Sequence, residues 1–226
     1  MQVENIIVVA QFKKTIPQNP KQKPKQRLFI RLFPKKDGLH LLSSTVYEEE
    51  TFKENTQKEI WKNFGIEDFH LVNGDFYDSY KNKLSERIIQ CSNVCLLNKS
   101  TETDENWYEV NIGDSQITLK NNEQEIRLEF RKDMNTYYIV SANVLLPENH
   151  TQILMDAIFK LKSIFLFTDM FFNFIPNEFT LSDATELFDA FCNKPFSKAT
   201  FKRRFRNIIE EKETKDNIVI YTKSAQ

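Results

Sequence analysis

Two groups of residues in this 226-residue chain have types and spacings that could do chemistry. The first is basic. In the stretch NKPFSKATFKRRFRNIIEE, Lys194, Lys198, Lys202, Arg203, Arg204 and Arg206 occur with no acidic residue among them, inside a chain whose formal net charge is -1. Clustered cations of this kind suit a polyanion, because every Lys or Arg that meets a phosphate releases condensed counterions. The second group is acidic and lies around a predicted helix, with Glu50 in its cap region and Glu59 on its surface. Zinc is a weak reading, since His40, His70 and His150 are scattered and Cys91 and Cys95 lack a second ligand pair at zinc spacing.

Composition limits what else these residues could serve. Gly38, Gly65, Gly74 and Gly113 are the only glycines, which leaves no room for a glycine-rich phosphate loop. Three cysteines, Cys91, Cys95 and Cys192, with no leader after Met1, point to a reducing cytoplasm. The phenylalanine-rich run AIFKLKSIFLFTDMFFNFIP is interrupted by Lys160, Lys162 and Asp169, so it reads as a buried helix and its exit.

The elements that must hold the second group come first in the chain. NIIVVA, RLFIRLF, RIIQCSNVCLL, WYEVNI, QITL, IRLEF and YYIVSANVLL are short, β-branched and aromatic, and predict strands. Among them TFKENTQKEIWKNFG predicts one helix, with a Thr51/Glu54 capping box, an apolar face of Phe52, Ile60 and Phe64 around Thr56, and Gly65 as its stop. QNPKQKPKQ, with Lys21, Lys23 and Lys25, reads as a solvated loop between the first two strands. From Asn149 the pattern turns helical, with Ile153, Leu154, Ala157, Ile158, Leu161, Ile164 and Phe165 forming an apolar face.

The first group sits on a helix pair. Thr180 caps a helix buried through Leu181, Ala184, Leu187, Phe188 and Phe191, the turn CNKP follows, and Ser197 caps a second helix packed through Phe201, Phe205 and Ile208. At about 100° per residue the opposite face is centred on Arg203, with Ala199, Thr200, Arg206 and Asn207 beside it and Lys202 and Arg204 at its flanks. This is the arrangement of a helix-turn-helix, and EEKETKDNIVIYTK would then be a wing turning near Lys215-Asp216-Asn217. A solvated helical hairpin fits the same residues, and Glu210, Glu211 and Glu213 favour it mildly.

SSTVYEEETFKENTQKEIWKNFGI resembles the Nudix hydrolase box with its spacing intact: Ser44 stands in the glycine place, followed by Glu50, Lys58, Glu59, Ile60, Lys62, Asn63, Gly65 and Ile66. Lys62 and Asn63 occupy the places of the paired metal-binding glutamates, so the pattern implies neither a metal site nor hydrolysis. A degenerate Nudix box followed by a basic helix pair resembles the Nudix-related (NrtR-like) transcriptional regulators, a bacterial group that controls NAD metabolism and in some lineages sugar catabolism. That likeness covers nearly the whole chain and is strongest from Glu148 to Phe205, with the linker helix, NEFT and the helix pair.

The resemblance implies an α+β protein with no cofactor. Residues 1–148 would form a Nudix-like mixed-sheet α/β/α sensing domain, 149–176 a linker and dimerisation helix, and 177–226 a winged helix-turn-helix. It implies a homodimer on a palindromic double-stranded operator, released or tightened by an effector such as ADP-ribose or a sugar. Ser197, Lys198, Thr200, Lys202, Arg203, Arg204 and Arg206 would meet DNA, with Arg203 reading a base. Arg31, Glu50, Lys58, Glu59 and Arg87 would line the effector pocket, and the apolar face holding Ile158 and Leu161 would contribute to the dimer. Ala199-Thr200 replace the family's usual Arg-Asn pair, which implies a different operator. Two other classes stay open: a hydrolase of nucleoside diphosphate compounds using Glu50 and Glu59, and a module whose basic helix meets an acidic protein.

Overall fold

The structure, a computed structural model, describes residues 2–15, 25–81, 86–98, 101, 104–134, 136–147, 149–190, 196–215 and 218–223. The lysines at 21 and 23, the CNKP turn with Phe191 and Lys194, and Asp216-Asn217 of the proposed wing turn lie outside the described residues. In chain order the elements are β1 (Gln2–Thr15), β2 (Lys25–Arg31), β3 (Phe33–Lys35), β4 (Gly38–His40), β5 (Leu42–Thr45), α1 (Phe52–Phe64), β6 (Phe69–Lys81), β7 (Glu86–Leu97), β8 (Trp107–Ile112), β9 (Gln116–Lys120), β10 (Glu125–Asp133), β11 (Thr136–Ala142) and α2 (His150–Phe167). There follow a 3-10 turn (Met170–Phe174), β12 (Glu178–Phe179), α3 (Leu181–Asp189), α4 (Lys198–Phe205), β13 (Ile209–Lys215) and β14 (Ile218–Lys223).

Two compact units result. One comprises Met1–Gln11 with Leu28–Leu161, the other Phe12–Arg27 with Lys162–Gln226. The division falls inside α2, so the helix expected as a separate linker is shared between the units. No helix among the described residues is long and apolar enough to cross a membrane.

A mixed sheet in the order β11-β10-β9-β8-β2-β1-β7-β6, with β5 also pairing with β1, forms the first unit's centre. β1 runs parallel to β7 and antiparallel to β5. Asn5 through Gln11 of β1 are all buried, as a strand covered on both faces requires. Alternation explains how: Ile7 and Val9 point to the α1 side, where they pack with Ile60, Leu42, Cys95, Leu97 and Trp107, and Ile6, Val8 and Ala10 point to the other. On that second side α2 meets the sheet, with Phe159 against Phe130 and Tyr137, and Tyr77 donating a 2.8 Å hydrogen bond to Asp156. α2 buries most of its apolar residues, and Ile158 and Leu161 are fully buried within the chain. This corrects the expectation that they form a dimer face, because a residue already packed in the monomer has no surface to offer a partner.

α1 begins and ends as its sequence predicts. Thr51 Oγ1 accepts from the Glu54 amide, the Glu54 carboxylate accepts from the Thr51 amide, and Gly65 closes the helix at φ 64°, a left-handed conformation that favours glycine. β6 is a strand the sequence did not suggest. Its register shifts between Asn73 and Phe76, and at Gly74 an added Cβ would lie 1.9 Å from Ser92 Oγ and 2.4 Å from Ser92 O, so no larger residue fits the bulge.

In the second unit the phenylalanines make the core. Phe171, buried in the 3-10 turn, has ring centroids 4.7 Å from Phe188, 5.3 Å from Phe201 and 5.1 Å from Phe205. α3 starts at a Thr180/Asp183 capping box and α4 at a Ser197 cap. α4 ends earlier than expected: Arg206 is its C-cap, Ile208 lies beyond it and is only partly buried, and the apolar residue that completes the core is Ile209 at the start of β13. β14 pairs with β13 on one side and β12 on the other, giving a small three-stranded sheet.

Candidate functional site

Around α1 the structure builds a buried polar network instead of a metal centre. Asn55 and Thr56 sit on the helix's inner face, where Asn5 Nδ2 reaches Asn55 Oδ1 at 3.0 Å and Thr56 Oγ1 at 2.9 Å. Asn93 of β7 donates to Asn5 Oδ1 at 2.7 Å, and Ser44 of β5 donates to Asn55 Oδ1 at 2.5 Å. Asn55 Nδ2 in turn donates to Thr45 O at 3.1 Å and to Glu50 Oε2 at 2.8 Å. Lys58 Nζ approaches the other Glu50 oxygen at 3.4 Å. The Asn55 amide first, and the Lys58 ammonium after it, hold the Glu50 carboxyl below the usual carboxylate range.

A divalent cation does not fit these donors. Both Glu50 oxygens already accept hydrogen bonds, Glu59 Oε2 lies 3.9 Å from the Lys62 ammonium, and the Asn63 amide is turned back to donate to Glu59 O at 2.9 Å. A cation placed here would meet the Lys62 ammonium and a neutral amide in place of paired anionic oxygens.

The five residues expected to share one effector pocket are not brought together. Glu50 precedes the cap of α1, and Lys58 and Glu59 lie on the helix. Arg31, at the end of β2, is bound to Asp104 at 2.8 Å and sits 5.4 to 5.7 Å from the ring centroids of Phe33, Phe64 and Trp107. Phe64 ends a helix of 13 residues, so Arg31 and Glu50 stand near opposite ends of α1, about 20 Å apart along its axis. Arg87 pairs with Asp78 at 2.7 Å on the exposed β6–β7 hairpin. Sequence reasoning missed Asn5, Asn55 and Asn93. The signal was there: an asparagine opening NIIVVA, and an Asn-Thr pair beside the helix's apolar stripe.

On α4 the predicted cations separate into two sets. Lys198, Arg203 and Arg206 are exposed and make no ion pair among the described residues. Lys202 bonds Glu211 on β13 and lies over the Tyr221 ring at 5.6 Å, which raises the Lys202 ammonium and lowers the Glu211 carboxyl from their ordinary values. The Arg204 guanidinium stacks over Phe167 at 5.5 Å and Phe205 at 5.6 Å. Ser197 and Thr200 spend their hydroxyls on the cap, 2.7 Å from each other, with the Thr200 amide donating to Ser197 Oγ at 3.1 Å.

No family model matches the sequence, and no curated protein matches it significantly. The structure is similar to that of a MutT/nudix family protein from Enterococcus faecalis, at 14% identity and a TM-score of 0.73, over 99% of this chain and 86% of that one. It is similar also to NrtR from Shewanella oneidensis, at 10% identity and a TM-score of 0.61, over 99% of this chain and 94% of that one. The fold is Nudix-related and NrtR-like. The same Shewanella protein complexed with a 27mer DNA matches at 11% identity and a TM-score of 0.58, over 98% of this chain and 93% of that one. Within this fold the mixed sheet and α1 hold the stretch that resembles a Nudix box, and α4 and the β13–β14 hairpin carry the basic residues.

Proposed function

We propose that this chain is a DNA-binding transcriptional regulator of the cytoplasm, in which residues 177–226 are a winged helix-turn-helix and 1–148 a sensor without hydrolase activity. The observation that carries this reading is the set of exposed cations Lys198 and Arg203 on α4 and Arg206 at its C-cap, which make no ion pair among the described residues, on a helix whose opposite face is anchored by buried Phe201 and Phe205. Such a helix can enter a major groove while its flanking cations meet phosphates, with the β13–β14 hairpin as the wing. Arg203 is assigned a base edge, and Lys198 and Arg206 phosphates. The NrtR structure complexed with DNA supports the same use of this fold.

The sensor's ligand is assigned to the class of ADP-ribose or a sugar, with Glu50, Lys58 and Glu59 around α1 as candidate contacts; Arg31 and Arg87 lie apart from them and are not assigned to the same ligand. Two copies would bind a palindromic site, and the ligand would act by binding one dimer geometry more tightly than the other, since equal affinity shifts nothing. The reading of a sensor without hydrolysis is supported by the hydrogen bonds to both Glu50 oxygens and by Lys62 and Asn63 beside Glu59.

The test is selection of bound fragments from the source genome at about 150 mM salt, with and without ADP-ribose, beside an assay for Mg²⁺-dependent turnover of nucleoside diphosphate compounds. A palindromic site recovered repeatedly supports the regulator. No enrichment, or turnover at enzymatic rates, overturns it.

A further inference from the structure

Lys202 is the one α4 cation that has an acidic partner among the described residues. Its ammonium meets Glu211 Oε1 on β13, and the Tyr221 hydroxyl on β14 donates to the same oxygen at 3.1 Å. Tyr221 is buried, and its ring lies 6.3 Å from that of Phe179 on β12, nearly parallel to it. One carboxylate oxygen thus joins α4 to a hairpin whose other strand is packed into the phenylalanine core. The Lys202 and Glu211 side chains are about half exposed, at 51% and 53%, so as an isolated pair they would contribute little. The buried tyrosine changes this, because it presents its hydroxyl from a fixed position and gives the pair a single geometry.

We infer that Lys202 and Glu211 are positioning residues, which fix the β13–β14 hairpin against α4, and that Lys202 does not itself neutralise a DNA phosphate. The inference rests on the DNA-binding reading and replaces the phosphate role expected for Lys202 from sequence. Glu211 then favours DNA binding although it is an acid beside a polyanion. A lysine committed to a carboxylate and a ring makes no phosphate contact, so its removal changes geometry and leaves the number of counterions released from phosphates unaltered.

The experiment uses the full chain and the operator recovered by selection, with random DNA of the same length, and measures affinity from 50 to 300 mM salt for the wild type, Lys202→Met, Glu211→Gln and the double variant. Each single variant weakens operator binding about threefold to fivefold, the range of an exposed ion pair. The salt slope stays at the wild-type value, and the double variant is no weaker than either single one. Amide exchange along β13 quickens in Glu211→Gln in the absence of DNA. The inference is overturned if Lys202→Met lowers the log–log slope by about 0.9, if Glu211→Gln tightens binding, if the two losses add, or if β13 exchange is unmoved. If the unmodified chain binds operator and random DNA equally, the functional reading falls and takes this inference with it. A normal wild-type operator complex with any of the four contrary results overturns the positioning role alone.

Discussion

Asn5 of β1 and Asn55 of α1, 50 residues apart in the chain, meet in the core through a hydrogen bond of 3.0 Å from the Asn5 amide to Asn55 Oδ1. Asn55 is 1% exposed, and its side chain also serves Ser44, the Thr45 carbonyl and Glu50. Asn55→Leu keeps the volume and strands those partners without an acceptor or donor. Unfolding in denaturant should show a loss of about 1–3 kcal/mol, the cost of leaving a buried polar group unsatisfied. A variant as stable as the wild type would show that α1 is held by its apolar contacts alone.

His150, the first residue of α2, accepts the Leu41 amide hydrogen on Nδ1 at 3.2 Å and is 3% exposed. Burial, reinforced by the neighbouring His40 and Lys35, pushes its pKa down to about 4 from an ordinary 6.5. Below pH 6.5 the unfolded chain takes up a proton that the folded chain refuses until about pH 4. Stability is therefore fully present above pH 6.5 and falls through that window, by up to about 3 kcal/mol. His150→Asn keeps an acceptor and cannot titrate. Its stability between pH 6.5 and 4.5 should decline less than that of the wild type, and parallel declines would remove His150 as the cause.

Ile158 is fully buried in α2. Ile158→Ala should cost about 2–5 kcal/mol in unfolding free energy, as large-to-small core substitutions do. The same variant should sediment in the oligomeric state of the wild type under native conditions. Dissociation without loss of stability would restore the dimer role that its burial argues against.

The capped ends of α1, α3 and α4 were legible in the sequence because a capping box is local: Thr51 and Glu54, or Thr180 and Asp183, need only each other. The phenylalanine face of α4 was legible for the same reason, up to Phe205. β6 was not, because Asn73-Gly74-Asp75 looks like a turn and is a bulge that only its partner Ser92 explains. The candidate site was read one residue at a time, and its errors lie in pairings. Nothing local to Lys202 announces Glu211 and Tyr221 on the following hairpin, and nothing near Arg31 announces Asp104 or the rings around it. Periodicity says which way a side chain points, whereas its partner depends on register between distant elements.

That distinction sharpens the expectation for DNA. Arg203, exposed and without an ion pair among the described residues, should lose about 1–3 kcal/mol of operator binding as Arg203→Ala and should relax the choice of base at one position in each half-site. Lys198→Ala and Arg206→Ala should weaken operator and random DNA alike and lower the salt slope by about 1 each. Arg204→Lys retains the charge and gives up the flat guanidinium that lies 5.5 Å from the Phe167 ring and 5.6 Å from the Phe205 ring, so its effect should appear as lower thermal stability with an unchanged slope. Affinity measured against salt concentration for these four variants, on operator and random DNA, separates the roles. An equal loss on both DNAs for Arg203→Ala would move it from base reading to phosphate binding.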